Sequence, residues 1–440
     1  MKAVLTTTNL QAGQRWQQTE LQSGSVGFGH HVDIYPELRG QTFHGFGGAF
    51  TQAAASCWQQ LPEERRQAFL DCYFGPDGLN YSLGRVHIGS CDFALGNYAC
   101  QSGPEDEGFD TAMDDRDLIP MIQAAQKAAG APVGLLLSPW SPPAFMKTNG
   151  DMNHGGMLKP EYRARWAGCM AKYADHYRAA GCDVRLITVQ NEPAAVQTWD
   201  SCIWSAEEEG AFAVEHLAPA LEKEGCGDVK ILAWDHNKDV LVRRAAGTLS
   251  VPGAEQAVDG FAIHWYSGDH FDAVKLAHER WPDKELWFSE GCVEYSRFDG
   301  MTPLQKAEMY AHDILGNLNA GVCGSIDWNL LLDAKGGPNH VGNFCEAPVM
   351  LNEDASDFIL QTEYYYIGQF SRFIRPGAVR LGASAWTDGV EVTAFENPDG
   401  SRVAVALNRT DRALPVCVTL DGEEGFDFEL APRSIATLSL

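Results

Sequence analysis

Two glutamates that end apolar runs are the residues best suited to do chemistry. Val184 to Pro193 reads VRLITVQNEP: apolar and β-branched residues, as in a buried parallel strand, then Asn191, Glu192 and a proline that cannot extend a ladder. Glu285 to Gly291 reads ELWFSEG and carries Glu290 in the same way. Paired carboxyls can divide acid–base and nucleophilic work. One holds a proton to donate while the other attacks as an anion. Two close negative charges repel, so one pKa is expected to rise.

For those tips to converge, the strands must run parallel with their C-terminal ends on one rim. The chain alternates accordingly. Strands are expected at Phe43–Phe50, Leu83–Gly89, Val133–Pro143, Val184–Pro193, Val229–Asn237, Val258–Tyr266, Glu285–Gly291 and Gly324–Asp333. Helices are expected from Pro62 to Tyr73, from Asp117 to Gly130 and from Pro160 to Gly181. Two more open on capping boxes, Ser205 with Glu208 and Thr302 with Gln305. The run Glu207–Glu209 reads as a solvated first helical turn. Eight strands with intervening helices predict a (β/α)₈ barrel. The runs GVEVTAFE, SRVAVALN, LPVCVTLD, FDFELAP and SIATLSL predict a small antiparallel β-sandwich, joined by the strand-like N-terminus. The expected domains are residues 1–38 with 375–440 for the sandwich, and 39–374 for the barrel.

The expected rim is rich in chemistry. It holds Gly47 and Gly48, Arg85, His87 and Asp92, Trp140, Asn191 and Glu192, Asp235 and His236, His264 and Tyr266, Glu290, and Asp327 to Asn329. GFGGAF lacks the third glycine of a dinucleotide fingerprint. Asp235, His236 and His264 lack metal-ligand spacing. The two glutamates together suit a glycosidase. Carboxyls roughly 5–5.5 Å apart would cleave a glycosidic bond with retention. Glu192 is the expected acid/base, because Asn191 beside it can hydrogen-bond a sugar 2-hydroxyl. Glu290 is the expected nucleophile, with Tyr266 and His264 holding it ionised.

A formal charge of −26 argues against nucleic acid and anionic membrane surfaces as partners. No run approaches a membrane span, and the start of the chain lacks a signal-like apolar stretch. The 12 cysteines show no C-x-x-C and read as reduced thiols, so a cytoplasmic location is expected.

These residues lie in longer motifs: HGFGGAFTQAAA (44–55), GRVHIGSCDF (84–93), LLSPWSPPAFMKTNG (136–150), TVQNEP (188–193), IHWY (263–266), FSEGCV (288–293), DWNLLLD (327–333), GGPNHVGNF (336–344) and GQFSRFI (368–374). With them the chain resembles glycoside hydrolase family 30, in its glucosylceramidase-like branch. The resemblance implies a barrel with a sandwich built from both termini, retention of configuration, no metal and no cofactor. Glu192 would be acid/base and Glu290 the nucleophile. Asp92, Trp140, Asn191, His264, Tyr266, Trp328 and Asn343 would form the substrate-binding set, and Arg85 would support the carboxylates, as would His264. The expected substrate is a carbohydrate, a β-glucoside or short β-glucan, with β-xylosides and β-1,6-glucans as alternatives. Paired acids frequent after strand five in lysosomal relatives are replaced here by Trp234-Asp235-His236-Asn237. The aglycone entrance would lie there and in the loop after Glu290, and a ceramide-sized apolar aglycone is not expected for an acidic, cytoplasmic protein.

Overall fold

The computed structural model describes residues 1–440 apart from 26, 28, 421 and 423; Asp421, the last residue of LPVCVTLD, thus lies outside the described residues. Eight parallel strands pair in chain order and close into a barrel. They are β1 (Phe46–Phe50), β2 (Leu83–Ile88), β3 (Gly134–Pro139), β4 (Asp183–Thr188), β5 (Lys230–Asn237), β6 (Gly260–His264), β7 (Glu285–Glu290) and β8 (Gly324–Asn329). Every residue of β1, β2, β3, β6 and β8 is buried, which explains their nearly continuous apolar runs.

Local chemistry sets the helix ends. Both expected capping boxes form, on Ala206–Phe212 and Pro303–Asn319, each contributing about 1 kcal/mol. Gly130 at φ +65° closes Ile119–Ala129 in the left-handed conformation that favours glycine. Helix Gln52–Gln60 is additional to the sequence expectation; its N-cap is Thr51, whose hydroxyl accepts the Ala54 N–H.

Both termini enter one nine-stranded sheet. Its order is Gln14–Gln22, Lys2–Asn9, Ser434–Ser439, Arg402–Asn408, Glu391–Glu396, Ala378–Ala385, His30–Phe43, Leu414–Leu420 and Glu424–Leu430. The pairing is antiparallel except where His30–Phe43 meets Leu414–Leu420 in parallel. The sandwich has its own apolar core, including Val32, Ile34, Leu381, Val418 and Leu438. It docks on helix Thr362–Ser371 through the Tyr366 hydroxyl to the Arg433 carbonyl (2.9 Å) and the Thr437 hydroxyl to the Gln369 carbonyl (2.6 Å).

Inside the barrel, Leu83, Leu136, Leu186, Leu232, Ala262, Trp287 and Ile326 pack into one apolar plug. Two residues further along the same strands, side chains point the same way, and there the character changes to polar.

Candidate active site

The chain leaves β4 at Thr188, four residues before Glu192, so the Asn-Glu-Pro segment is a loop rather than a strand end. Backbone bonds still fix its path. The Asn191 N–H reaches the Pro139 carbonyl (2.8 Å) and the Glu192 N–H the Asp235 carbonyl (2.9 Å). Glu192 sits at φ +47°, a left-handed conformation costing a non-glycine residue about 1–3 kcal/mol.

A bulge in β5 builds the rest. Pairing to β6 moves from Ala233↔Phe261 to His236↔Ile263, so Trp234 and Asp235 share one opposing residue. Both have positive φ. Trp234 turns out of the lumen, under the Arg244 guanidinium (4.5 Å). Its backbone N–H donates to Glu209 (3.0 Å). Glu209 is therefore fully buried and paired with Arg244 (2.5 Å), in contrast to the solvated role expected for its acidic run. Asp235 turns inward instead. It accepts hydrogen bonds from Ser289 (2.6 Å), Thr188 and Arg85 (2.8 Å each) and Ser138 (3.0 Å).

Arg85, itself fully buried, ties Glu290 and Asn191, the neighbour of Glu192, to this anchor. Nη1 lies 2.5 Å from Glu290 Oε2, and Nη2 donates to Asn191 Oδ1 (2.9 Å) as well as to Asp235. The Tyr266 hydroxyl donates to the other Glu290 oxygen (2.9 Å). Glu192 Oε2 accepts from Gln197 (3.2 Å). Its Oε1 lies 3.4 Å from His264 Nδ1 and 3.8 Å from His236 Nε2, and His264 Nε2 is 3.0 Å from Asp235. An oxygen of Glu192, a nitrogen of His264 and an oxygen of Glu290 lie within 4.8 Å of one another. These donor types suit a cation, but the Arg85 guanidinium already supplies positive charge at Glu290.

This arrangement reverses the expected direction for the acid/base. Burial alone would raise the Glu192 carboxyl, yet His236 and His264 hold it down at about 2. Burial opposes charge on His264 too, but Glu290 and the hydrogen bonds to Asp235 and Glu192 push it up to about 9. Burial, reinforced by Glu290, raises the Asp92 carboxyl. Burial lifts Glu294 to about 7 against the pull of Arg297, with Glu192 and Glu290 adding to the rise.

The cavity brings Asp92, Trp140, Asn191, Glu192, Tyr266, Glu290, Trp328 and Asn343 together. On one side Asn343 donates to Asp92 (3.3 Å), and Trp140 stacks on Trp328 at 5.3 Å beneath the Arg85 guanidinium. His264 is the exception. Its side chain has no exposure and reaches Glu192 and Asp235 from behind, so it is a support, not a substrate contact. The opposite side is lined by Gln197, Trp199, His236, Asn237, Glu294 and Arg297. His236, Asn237 and the loop after Glu290 that carries Glu294 and Arg297 were expected at the aglycone entrance, whereas Gln197 and Trp199 were not singled out by sequence. Asp235 stood at a strand tip in sequence, but its central place depends on the bulge.

Sequence models of the glycosyl hydrolase family 30 TIM-barrel and beta sandwich domains match residues 43–374 and 377–438. The mouse lysosomal acid glucosylceramidase is 33% identical, over 98% of this chain and 88% of its own. A Neurospora crassa endo-1,6-beta-D-glucanase is 29% identical, over 92% and 87%. Among solved structures, SrfJ from Salmonella typhimurium superposes with a TM-score of 0.97 at 39% identity, covering 100% of this chain and 99% of its own. The endo-β1,6-glucanase BT3312 does so at 0.90 and 26% identity, with the same coverage.

Proposed function

The chain belongs to glycosyl hydrolase family 30, and from that membership we propose that it cleaves a terminal β-linked glucose from a glucoside or short β-glucan by double displacement. The observation that carries this reading is the approach of Glu192 and Glu290 to within 4.8 Å. Retaining pairs stand roughly 5–5.5 Å apart, and inverting pairs roughly 6.5–9.5 Å, to leave room for a water.

In the first step Glu290 attacks the anomeric carbon while Glu192 delivers a proton to the leaving oxygen. Arg85 and Tyr266 hold both Glu290 oxygens, which fixes the nucleophile's orientation before the sugar arrives. Asn191 spends its carbonyl oxygen on Arg85, which leaves its NH₂ for the sugar 2-hydroxyl. In the second step Glu192 takes a proton from water, which attacks the anomeric carbon and frees Glu290. The stacked tryptophans, Asp92 and Asn343 suit the sugar being released. Asn343 donates to Asp92 (3.3 Å) and, among the described residues, no cation pairs with Asp92, so both keep polar capacity for hydroxyls.

The second reading is a β-1,6-glucanase. The polar far side, with Gln197, Asn237, Glu294 and Arg297 beside the Trp199 face, suits a second sugar better than a lipid chain. A β-xylosidase would need the same machinery and a wall that excludes the hydroxymethyl group. Twelve free cysteines fit a reducing compartment, so a cytoplasmic location belongs to the proposal. Among the described residues, no helix is long and apolar enough to cross a membrane. The test is a panel of aryl β-glucoside, aryl β-xyloside and gentiobiose. Glucoside hydrolysis well above xyloside hydrolysis is expected, and the reverse would overturn the choice of glucose.

A further inference from the structure

A proton must be stored at the acid/base before the first step, yet Glu192 lies between two imidazoles that favour its ionised form. Hydrogen-bond geometry limits where the proton can be. Both ring nitrogens of His264 face carboxylate oxygens, Asp235 Oδ1 at 3.0 Å and Glu192 Oε1 at 3.4 Å. A neutral imidazole carries one N–H, so one of these contacts would set a nitrogen lone pair against an oxygen lone pair. One additional proton resolves the clash, placed either on His264 Nδ1 or on Glu192 Oε1. His264 is fully buried, so water cannot serve either nitrogen.

Resting on the reading of Glu192 as acid/base, we propose that Asp235, His264 and Glu192 form a proton store, in which the catalytic proton rests on His264 Nδ1 and reaches the leaving group through Glu192. The surrounding charges favour the imidazole as the resting place. Asp235 and Glu192 face its two nitrogens, and Glu290 has an oxygen within 4.8 Å of the shared cluster. The cation Arg85 is spent on Glu290 and Asp235. The remaining neighbours are His236, whose ring centre is 6.3 Å away and which burial keeps toward its neutral form, and the Tyr266 ring at 6.0 Å.

The proton count closes over one turnover. In the first step the Nδ1–H bond breaks, an Oε1–H bond forms, and that proton passes to the glycosidic oxygen as the bond to the anomeric carbon breaks. In the second step water gives a proton to Glu192, which returns it to Nδ1. His264 touches no substrate and acts through Glu192, as a positioning residue. The neutral imidazole left after the first step presents a free Nδ1 lone pair, which explains how Glu192 serves as a base once Glu290 is glycosylated: the proton it takes from water passes on to His264.

The direct test is ¹⁵N NMR of the histidine-labelled protein without substrate, a readout independent of turnover. Among the thirteen histidines, the His264 signal is assigned by its loss in H264N. The proposal expects both of its nitrogens protonated at pH 7.5, and loss of the second proton at lower pH in E192Q. A His264 with a single N–H at pH 7.5 would overturn it. In a kinetic test, H264N should cut kcat/KM about 100-fold for gentiobiose or an alkyl β-glucoside, which need a proton on the leaving oxygen. For 2,4-dinitrophenyl β-glucoside, which leaves unaided, the cut should be less than about 10-fold. Equal losses on both substrates would mark a merely structural role and overturn the proposal. If the wild type hydrolysed none of these glucosides, the functional reading would fail while the NMR test still decided the proton's place.

Discussion

The lower and upper parts of the barrel lumen are built from the same strands and differ in everything else. Below, Leu83, Leu136, Leu186, Ala262 and Trp287 form a dry plug. Two residues further along, the same strands present Arg85, Ser138, Thr188, His264 and Ser289, all fully buried and hydrogen-bonded. Strand alternation alone would continue Leu232 with Trp234. The β5 bulge replaces that tryptophan with Asp235, and the polar layer gains the anion that Arg85 and His264 require. The lower layer contributes area removed from water, at about 25 cal/mol per Å². The upper layer is weak evidence for stability, because desolvating charges costs about what their pairing returns. Its value lies in holding Glu192 and Glu290 at a fixed separation.

The comparison breaks if the layers do not separate under substitution. The largest expected effect is in the upper layer: E290Q should lower kcat by roughly 10⁵-fold or more, as loss of a nucleophile does. Activity near wild type, measured on an aryl β-glucoside, would remove Glu290 from its role. Next, E192Q should slow glucosides with poor leaving groups by about 10²–10⁴-fold and spare formation of the glycosyl-enzyme from strongly activated ones. A Brønsted series over leaving groups measures that split. In the lower layer L136A should do the opposite, costing about 2–5 kcal/mol in denaturant unfolding while kcat of the folded enzyme changes only a few-fold. A large loss of kcat in folded L136A would show that the plug and the polar layer act as one unit.

The smallest effect concerns the far wall of the cavity. Burial lifts the Glu294 carboxyl to about 7, so it is neutral below that pH and adds a negative charge near both catalytic carboxylates above it. That charge favours protons on its neighbours. E294Q should erase an inflection near pH 7 in kcat/KM, with a change at pH 8 of less than about 3-fold for a group also near Arg297. An inflection that survives in E294Q would belong to another group.

Much of this was legible in sequence because burial on both faces leaves continuous apolar runs, and these marked all eight barrel strands. Capping boxes were legible because they depend on two side chains three residues apart. The acids at positions 192 and 290 stood out by their place after such runs. Other features depended on partners far along the chain. The β5 bulge, the burial of Glu209 beneath Trp234, and the attachment of His264 to Glu192 in place of Glu290 come from tertiary pairing. So does the downward shift of the Glu192 carboxyl, since two imidazoles from β5 and β6 outweigh the rise that burial would cause, a balance absent from a reading of the two acids alone. Helix Gln52–Gln60 did carry a local signal, Thr51 ahead of an alanine run, but its short polar sequence lacked a clear period.

The central claim is that Glu192 and Glu290 act across one sugar ring at a separation too short for inversion. Proton NMR of an aryl β-glucoside reaction, recorded before mutarotation, reads the configuration of the first glucose released. The account predicts β-glucose first, with the α-anomer appearing only as the sugar equilibrates. α-Glucose as the first product would contradict it.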